Sequence, residues 1–152
     1  MMPKLAVKLD FDEFPPEYTC RGANRSPPIR VEGILSNIES LAILATASPE
    51  GGESRVAWVL WNLPSVEQIP AGFPEGETVE SPLHARQGRN DFGTLGYRGP
   101  CPEAGTTEVY LFRVYALDLD LPLASGATWE DMVRTMEGSM NQVGEVVVFA
   151  TG

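Results

Sequence analysis

Apolar residues along the chain gather in short runs separated by glycine, proline and acidic residues, a pattern of strands and turns rather than of long helices. The candidate strands are Leu5–Leu9, Ile29–Val31, Leu41–Ala45, Val56–Trp61, Val109–Leu117 and Glu145–Phe149. In the longest, Val109, Leu111, Arg113, Tyr115 and Leu117 share one face, and Tyr110, Phe112, Val114 and Ala116 the other. Both faces are largely apolar, which predicts a central strand. Trp58 and Trp61, three apart on a strand, should face opposite sides of the sheet, one in each packing layer. One helix is predicted: Thr128 sits at an N-cap position, Glu130 and Asp131 fall in the first turn, and Trp129, Met132, Val133 and Met136 recur at helical spacing before Gly138. The stretch from Pro64 to Pro102 is rich in glycine and proline, has few periodic apolar residues, and is too long for an ordinary connection. Its end, Asn90 to Pro100, is dense in turn and recognition residues, so the stretch reads as functional rather than disordered.

The length of 152 residues sets a single domain, 1–152, able to bury roughly 68–70% of its unfolded surface without a metal or a disulfide framework. No apolar run approaches the ~20 residues of a membrane span, so no membrane insertion is expected. The N-terminal Met1-Met2-Pro3-Lys4, with the short alternating stretch and the acids after it, lacks the apolar core of a signal peptide, and the expected location is cytoplasmic. Twenty-one acids against 11 bases give a net charge of −10, which argues against nucleic acid and anionic membrane surfaces as partners.

The single histidine, His84, narrows the catalytic repertoire. Together with Cys20 and Cys101 it gives no zinc-ligand spacing, and no GxSxG, GxGxxG or Walker A sequence occurs. Asp91-Phe92-Gly93 spells a kinase tripeptide, but nothing else of that fold is present. The expectation is a non-enzyme with no cofactor and no metal. Two reduced thiols are the default for Cys20 and Cys101 in a cytoplasm. The alternative is a disulfide closing a loop of about 80 residues, which would stabilise by a few kcal/mol.

Several segments together resemble the phosphatidylethanolamine-binding protein family, in its prokaryotic Raf-kinase-inhibitor-like branch. They are Tyr18-Thr19-Cys20-Arg21-Gly22-Ala23-Asn24-Arg25-Ser26-Pro27-Pro28, Trp58-Val59-Leu60-Trp61-Asn62-Leu63-Pro64, Asn90-Asp91-Phe92-Gly93, Gly96-Tyr97-Arg98-Gly99-Pro100-Cys101-Pro102 and Tyr110 to Asp118, in the family's order and spacing. The resemblance implies an all-β, Greek-key β-sandwich with one or two short helices and a small pocket at one end. It also implies a binding or inhibitory module, often a homodimer. Ser26, Pro27, Pro28, Asp91, Phe92, Gly93 and Tyr97 fall at supporting motif positions, which turn geometry alone could also require.

In that family the pocket grips a phosphate-like anion with an Asp, a His just before the Trp of the next strand, and a second His two residues before a Tyr. Carried onto this chain, the Asp falls at Ala47, the motif's second Asp at Pro49, the first His at Ala57 and the second at Glu108, while Gly99, Pro100 and Tyr110 remain. A phosphate needs donors and positive potential to replace its water. A carboxylate at contact distance opposes a dianion by roughly 1–4 kcal/mol between the dielectrics of water and a protein surface. Weak or absent phosphate binding is expected. Either the pocket is filled, with Glu108 turned to solvent or paired with Arg98 or Arg113, or its polarity is inverted toward an amine or a neutral polar ligand. The competing function is a protein-interaction module that modulates a kinase or a protease through the Ser65–Arg89 stretch.

Overall fold

Thr107–Leu117 is hydrogen-bonded along both edges, as expected of a strand apolar on both faces. The computed structural model describes residues 3–152. Its strands are β1 Ala6–Lys8, β2 Ile29–Glu32, β3 Ser40–Pro49, β4 Arg55–Pro64, β5 Gln68–Ile69, β6 Thr78–Val79, β7 Ala85–Gln87, β8 Thr107–Leu117 and β9 Met140–Thr151. A 3-10 turn at Pro16–Tyr18 and one helix, α1 at Trp129–Met136, complete the elements. A six-stranded sheet runs in the order β6-β7-β4-β3-β8-β9 and a three-stranded sheet in the order β1-β2-β5, with antiparallel pairing throughout. The fold is the expected β-sandwich.

Between the sheets, Val7, Val31 and Ile69 pack with Ile43, Trp58, Leu60 and Phe112. The opposite face of the large sheet carries a second core, in which Leu44, Val59, Trp61 and Tyr115 meet Leu121, Met132 and Met136. Trp58 and Trp61 thus lie in different layers, as their spacing predicts, and neither is exposed to solvent. Met132 and Met136 anchor α1, each contributing about 1.5–3 kcal/mol by burial, whereas an eight-residue helix is marginal alone. Thr128 Oγ1 accepts from the Asp131 amide at 3.3 Å, and Asp131 in turn accepts from the Thr128 amide, so the predicted N-cap is a capping box.

Two bulges shape β4. Asn62, at φ +59, is the extra residue between the Leu41–Leu63 and Ile43–Leu60 pairs. Its side chain accepts from the Leu121 amide at 2.7 Å and donates to the Leu121 carbonyl at 3.1 Å, fastening the connection that covers Trp61. The second bulge lies between the Ala45–Trp58 and Thr46–Val56 pairs, so Ala57 and Trp58 both turn into the inter-sheet core.

Two expectations need correction. The candidate strands leave out the Pro64–Pro102 stretch, which contains β5, β6 and β7. These strands are two or three residues long, too short to leave a periodic signal, and side chains hold them instead. Gln87 is buried, accepts from Trp58 Nε1 at 2.8 Å and donates to the carbonyls of Pro74 and Gly76 at 2.8 and 3.0 Å. Moreover, β9 extends well before Glu145, to Met140, because β8 pairs with it along its whole length.

Candidate functional site

The end of β3, the start of β4 and the start of β8 meet at one end of the sandwich. Ala47 pairs with Tyr110, and Pro49 with Glu108, across β3 and β8. The Tyr97–Cys101 loop closes over this end. The Arg98 amide donates to the Ala57 carbonyl at 3.0 Å, which the bulge frees from the β3 ladder, and Tyr110 Oη donates to the Arg98 carbonyl at 2.7 Å. Ala47, Ala57, Gly99, Pro100, Glu108 and Tyr110 therefore lie on the strand ends and the loop at this end of the sandwich.

The loop is tied from the other side by the segment before β2. The Gly99 amide donates to Asn24 Oδ1 at 2.9 Å, Tyr97 Oη donates to the Tyr18 carbonyl at 2.8 Å, and the Cys20 amide donates to the Pro100 carbonyl at 3.2 Å. Only glycine fits at Gly99, where a Cβ would collide with the Tyr18 carbonyl and Asn24 Oδ1. Cys20 and Cys101 form a disulfide with their Cα atoms 5.4 Å apart. This corrects the default of two reduced thiols, because the same ties bring the two Cβ atoms within bonding reach.

This end carries buried apolar side chains, two buried phenols and one partly buried carboxylate. Ala57 and Tyr110 have no solvent exposure and Ala47 has 2%, so three of the positions offer a ligand no surface. Phe14 packs edge-on against Tyr110 at 5.3 Å, filling the space beneath. Burial, with a smaller contribution from the Glu108 charge, pushes the Tyr110 phenol far up. Tyr97 is also raised well above its ordinary value by burial, with Tyr110 and Glu108 adding. Glu108 itself is partly buried. Burial raises its carboxyl, while the Cys101 amide and the Arg98 charge pull it back. Arg98 forms no ion pair with it among the described residues, and Arg113 is committed to Glu145 at 2.9 Å. An ion-paired Glu108, one form of the filled pocket, is therefore not what the structure contains. Beside Glu108 opens a cleft of about 260 Å³ whose lining includes Pro49, Glu50, Pro102, Glu103 and Thr107, three carboxylates counting Glu108, and no side-chain cation.

The supporting motif residues build loops. Ser26 Oγ, buried, accepts from the amides of Gly72 and Phe73 at 3.1 and 2.9 Å, and Pro27 and Pro28 lead from it into β2. Asp91 Oδ2 accepts from the Val56 amide at 2.7 Å, and Gly93 takes φ +85 in the turn that carries Phe92, whose ring is partly buried against the inter-sheet core. Asn90, which the motif includes, is the organiser of that turn. Its amide nitrogen donates to Thr94 Oγ1 and the Gly96 carbonyl, and its Oδ1 accepts from the amides of Phe92 and Thr94. His84 lies exposed between β6 and β7 with Glu80 at 3.3 Å, not at this end of the sandwich. Sequence reasoning missed Asn24, Gln87 and Arg55. The αL position of Asn24 before a proline-rich turn is the one local signal among them.

A family model described as phosphatidylethanolamine-binding protein matches residues 7–149. A UPF0098 protein of Pyrococcus abyssi is 45% identical over 148 residues, covering 96% of this chain and 83% of its own, and one of Methanothermobacter thermautotrophicus is 40% identical over 136 residues, covering 85% and 84%. Among solved structures, a putative phosphatidylethanolamine-binding protein homolog of Chlamydia trachomatis superposes with a TM-score of 0.83 at 25% identity, covering 96% of each chain. Escherichia coli YbcL superposes with 0.82 at 24% identity, covering 99% of each, and speaks for the fold alone. With the family model spanning nearly the whole chain and relatives far above chance, this chain is a member of the phosphatidylethanolamine-binding protein family.

Proposed function

We propose that the chain is a non-enzymatic binding module in which the family's buried anion pocket is closed and the remaining small-ligand site is the acidic cleft at Glu108. The observation that carries this is the pairing of two apolar, buried positions, Ala47 and Ala57, with a carboxylate where a phosphate would need a donor. A cleft holding Glu50, Glu103 and Glu108 favours a small amine or neutral polar ligand and disfavours phosphate.

Thermal unfolding with phosphate, phosphoethanolamine and small amines tests the reading. A ligand at about 100 times its dissociation constant stabilises by about 2.7 kcal/mol. The expected result is no shift with phosphate and a shift with an amine that Glu108→Gln removes. A phosphate shift of that size in the natural chain would overturn the closed pocket. A chain carrying Ala47→Asp, Ala57→His and Glu108→His should respond to phosphate if the family architecture persists.

A second reading, a protein-interaction module acting on a kinase or a protease through the Ser65–Arg89 stretch, is favoured by the built structure of that stretch, which Gln87 ties to Trp58 and to the Pro74 and Gly76 carbonyls. Self-association belongs to the same proposal. Val147 and Phe149 on β9 are 46% and 45% exposed, apolar area that a second copy would cover, and light scattering of the eluted protein tests it. A cytoplasmic location is kept as part of the proposal, with the consequence that the Cys20–Cys101 bond must survive a reducing thiol pool. Alkylation of thiols at the moment of lysis decides that point.

A further inference from the structure

Arg98 and Arg55 share one aromatic partner. The guanidinium carbon of Arg98 lies 4.3 Å from the Phe92 ring centroid and that of Arg55 lies 5.8 Å from it. Both arginines are exposed, and neither pairs with a carboxylate among the described residues, although the chain carries 21 acids and pairs Lys8, Arg25, Arg113 and Arg134 elsewhere. The carboxylate next in sequence to Phe92, Asp91, is engaged by the Val56 amide. A third guanidinium joins the same turn, because Arg89 Nη1 donates to the Gly93 carbonyl at 3.3 Å. The turn itself is held by the four side-chain hydrogen bonds of Asn90.

From this arrangement we propose that Arg55, Phe92 and Arg98 form a docking patch for an acidic segment of a partner protein, a proposal that rests on the protein-interaction reading and moves its surface from the Ser65–Arg89 stretch to the turn that follows it. Packing a guanidinium over a ring leaves its N–H fork free for a carboxylate and fixes the side chain before binding, so less freedom is lost on contact. Arginine and aromatic residues are the types on which interface energy concentrates. A single small anion gains little from exposed guanidiniums in water. An extended acidic chain gains from several at once, with an apolar side chain laid against Phe92. On a chain of net charge −10, two guanidiniums gathered on one ring favour this place over the acidic surface around it.

The test is fluorescence anisotropy with the full chain and a labelled peptide of alternating glutamate and leucine, beside its lysine and serine counterparts. The glutamate peptide should bind in preference to both. Arg55→Gln with Arg98→Gln should weaken it by about tenfold or more, a change of about 1.4 kcal/mol in binding. Phe92→Ala should weaken it as well. Arg30→Gln, an exposed arginine on β2, should leave it unchanged, and thermal midpoints confirm that each variant is folded. Glutamate-peptide binding that survives the double variant overturns the patch and leaves the interaction reading standing. Failure of all three peptides to bind counts against both. Displacement by inorganic phosphate at equal concentration overturns the proposal in favour of a small-anion site.

Discussion

Tyr110 reaches across from β8 to donate to the carbonyl of Arg98 at 2.7 Å, so one buried hydroxyl joins the sheet to the loop that roofs the candidate site. Its removal in Tyr110→Phe leaves the ring packing with Phe14 and Phe112 intact and strands the carbonyl. The expected cost is about 1 kcal/mol, a drop in the thermal midpoint of about 2–4 °C for a domain of this size. An unchanged midpoint in a urea or thermal titration would show that the loop does not depend on this bond.

Gln87 is a stronger case. Its three hydrogen bonds satisfy the Trp58 indole and two loop carbonyls, all inside the fold. Gln87→Ala orphans all three and opens a cavity beside Trp58, and a loss of about 2–4 kcal/mol is expected in urea unfolding. Gln87→Glu should be worse than its size suggests, because a carboxylate can still accept from Trp58 but must face the Pro74 and Gly76 carbonyls without a proton to donate.

Which features were legible in the sequence depends on how each is built. β8 and the core of β4 were legible because apolar residues on both faces leave no other way to bury them, and α1 because its cap and its buried methionines are local in sequence. β5, β6 and β7 were not, since two or three residues carry no period and Gln87, a polar residue, does the holding. The positions carried over by the resemblance came from counting along the chain, which says nothing of strand register, and the pairing of Ala47 with Tyr110 emerges only in the fold. The gathering of Arg55 and Arg98 on Phe92 was not, because Arg55 is distant in sequence from the other two and meets them only once the β4 bulge has brought the Arg98 amide to Ala57.

The disulfide links segments 81 positions apart. Disulfides typically stabilise by about 2–4 kcal/mol, largely through the unfolded chain, and a loop of this length belongs at the upper end of that range. Cys20→Ser with Cys101→Ser should lower the urea midpoint accordingly, and dithiothreitol should lower the natural chain's midpoint to the same value while leaving the variant unmoved. The hydrogen bonds from Tyr97, Gly99 and Cys20 keep the loop in place in the folded state, so circular dichroism should be the same with and without the bond.

Glu108 gives stability a pH dependence of definite sign. Burial raises its carboxyl above the ordinary glutamate value of 4.5, with the Cys101 amide and Arg98 only partly offsetting this, so the folded state holds the proton more tightly than the unfolded chain. A group of that kind favours folding while it is protonated, and the contribution is lost as the pH rises through its folded pKa. Above that point the ionised carboxylate sits in a partly desolvated place at a net cost. Glu108→Gln keeps the shape and removes the charge, so it should match the natural chain below the ordinary glutamate value and become the more stable of the two as the pH approaches neutrality. Thermal midpoints of both proteins across this range measure the difference directly. The opposite slope, with the natural chain gaining on the variant toward neutral pH, would mean that the carboxylate is engaged by a cation such as Arg98 in solution, and the acidic cleft would then lose the free charge that its ligand is expected to meet.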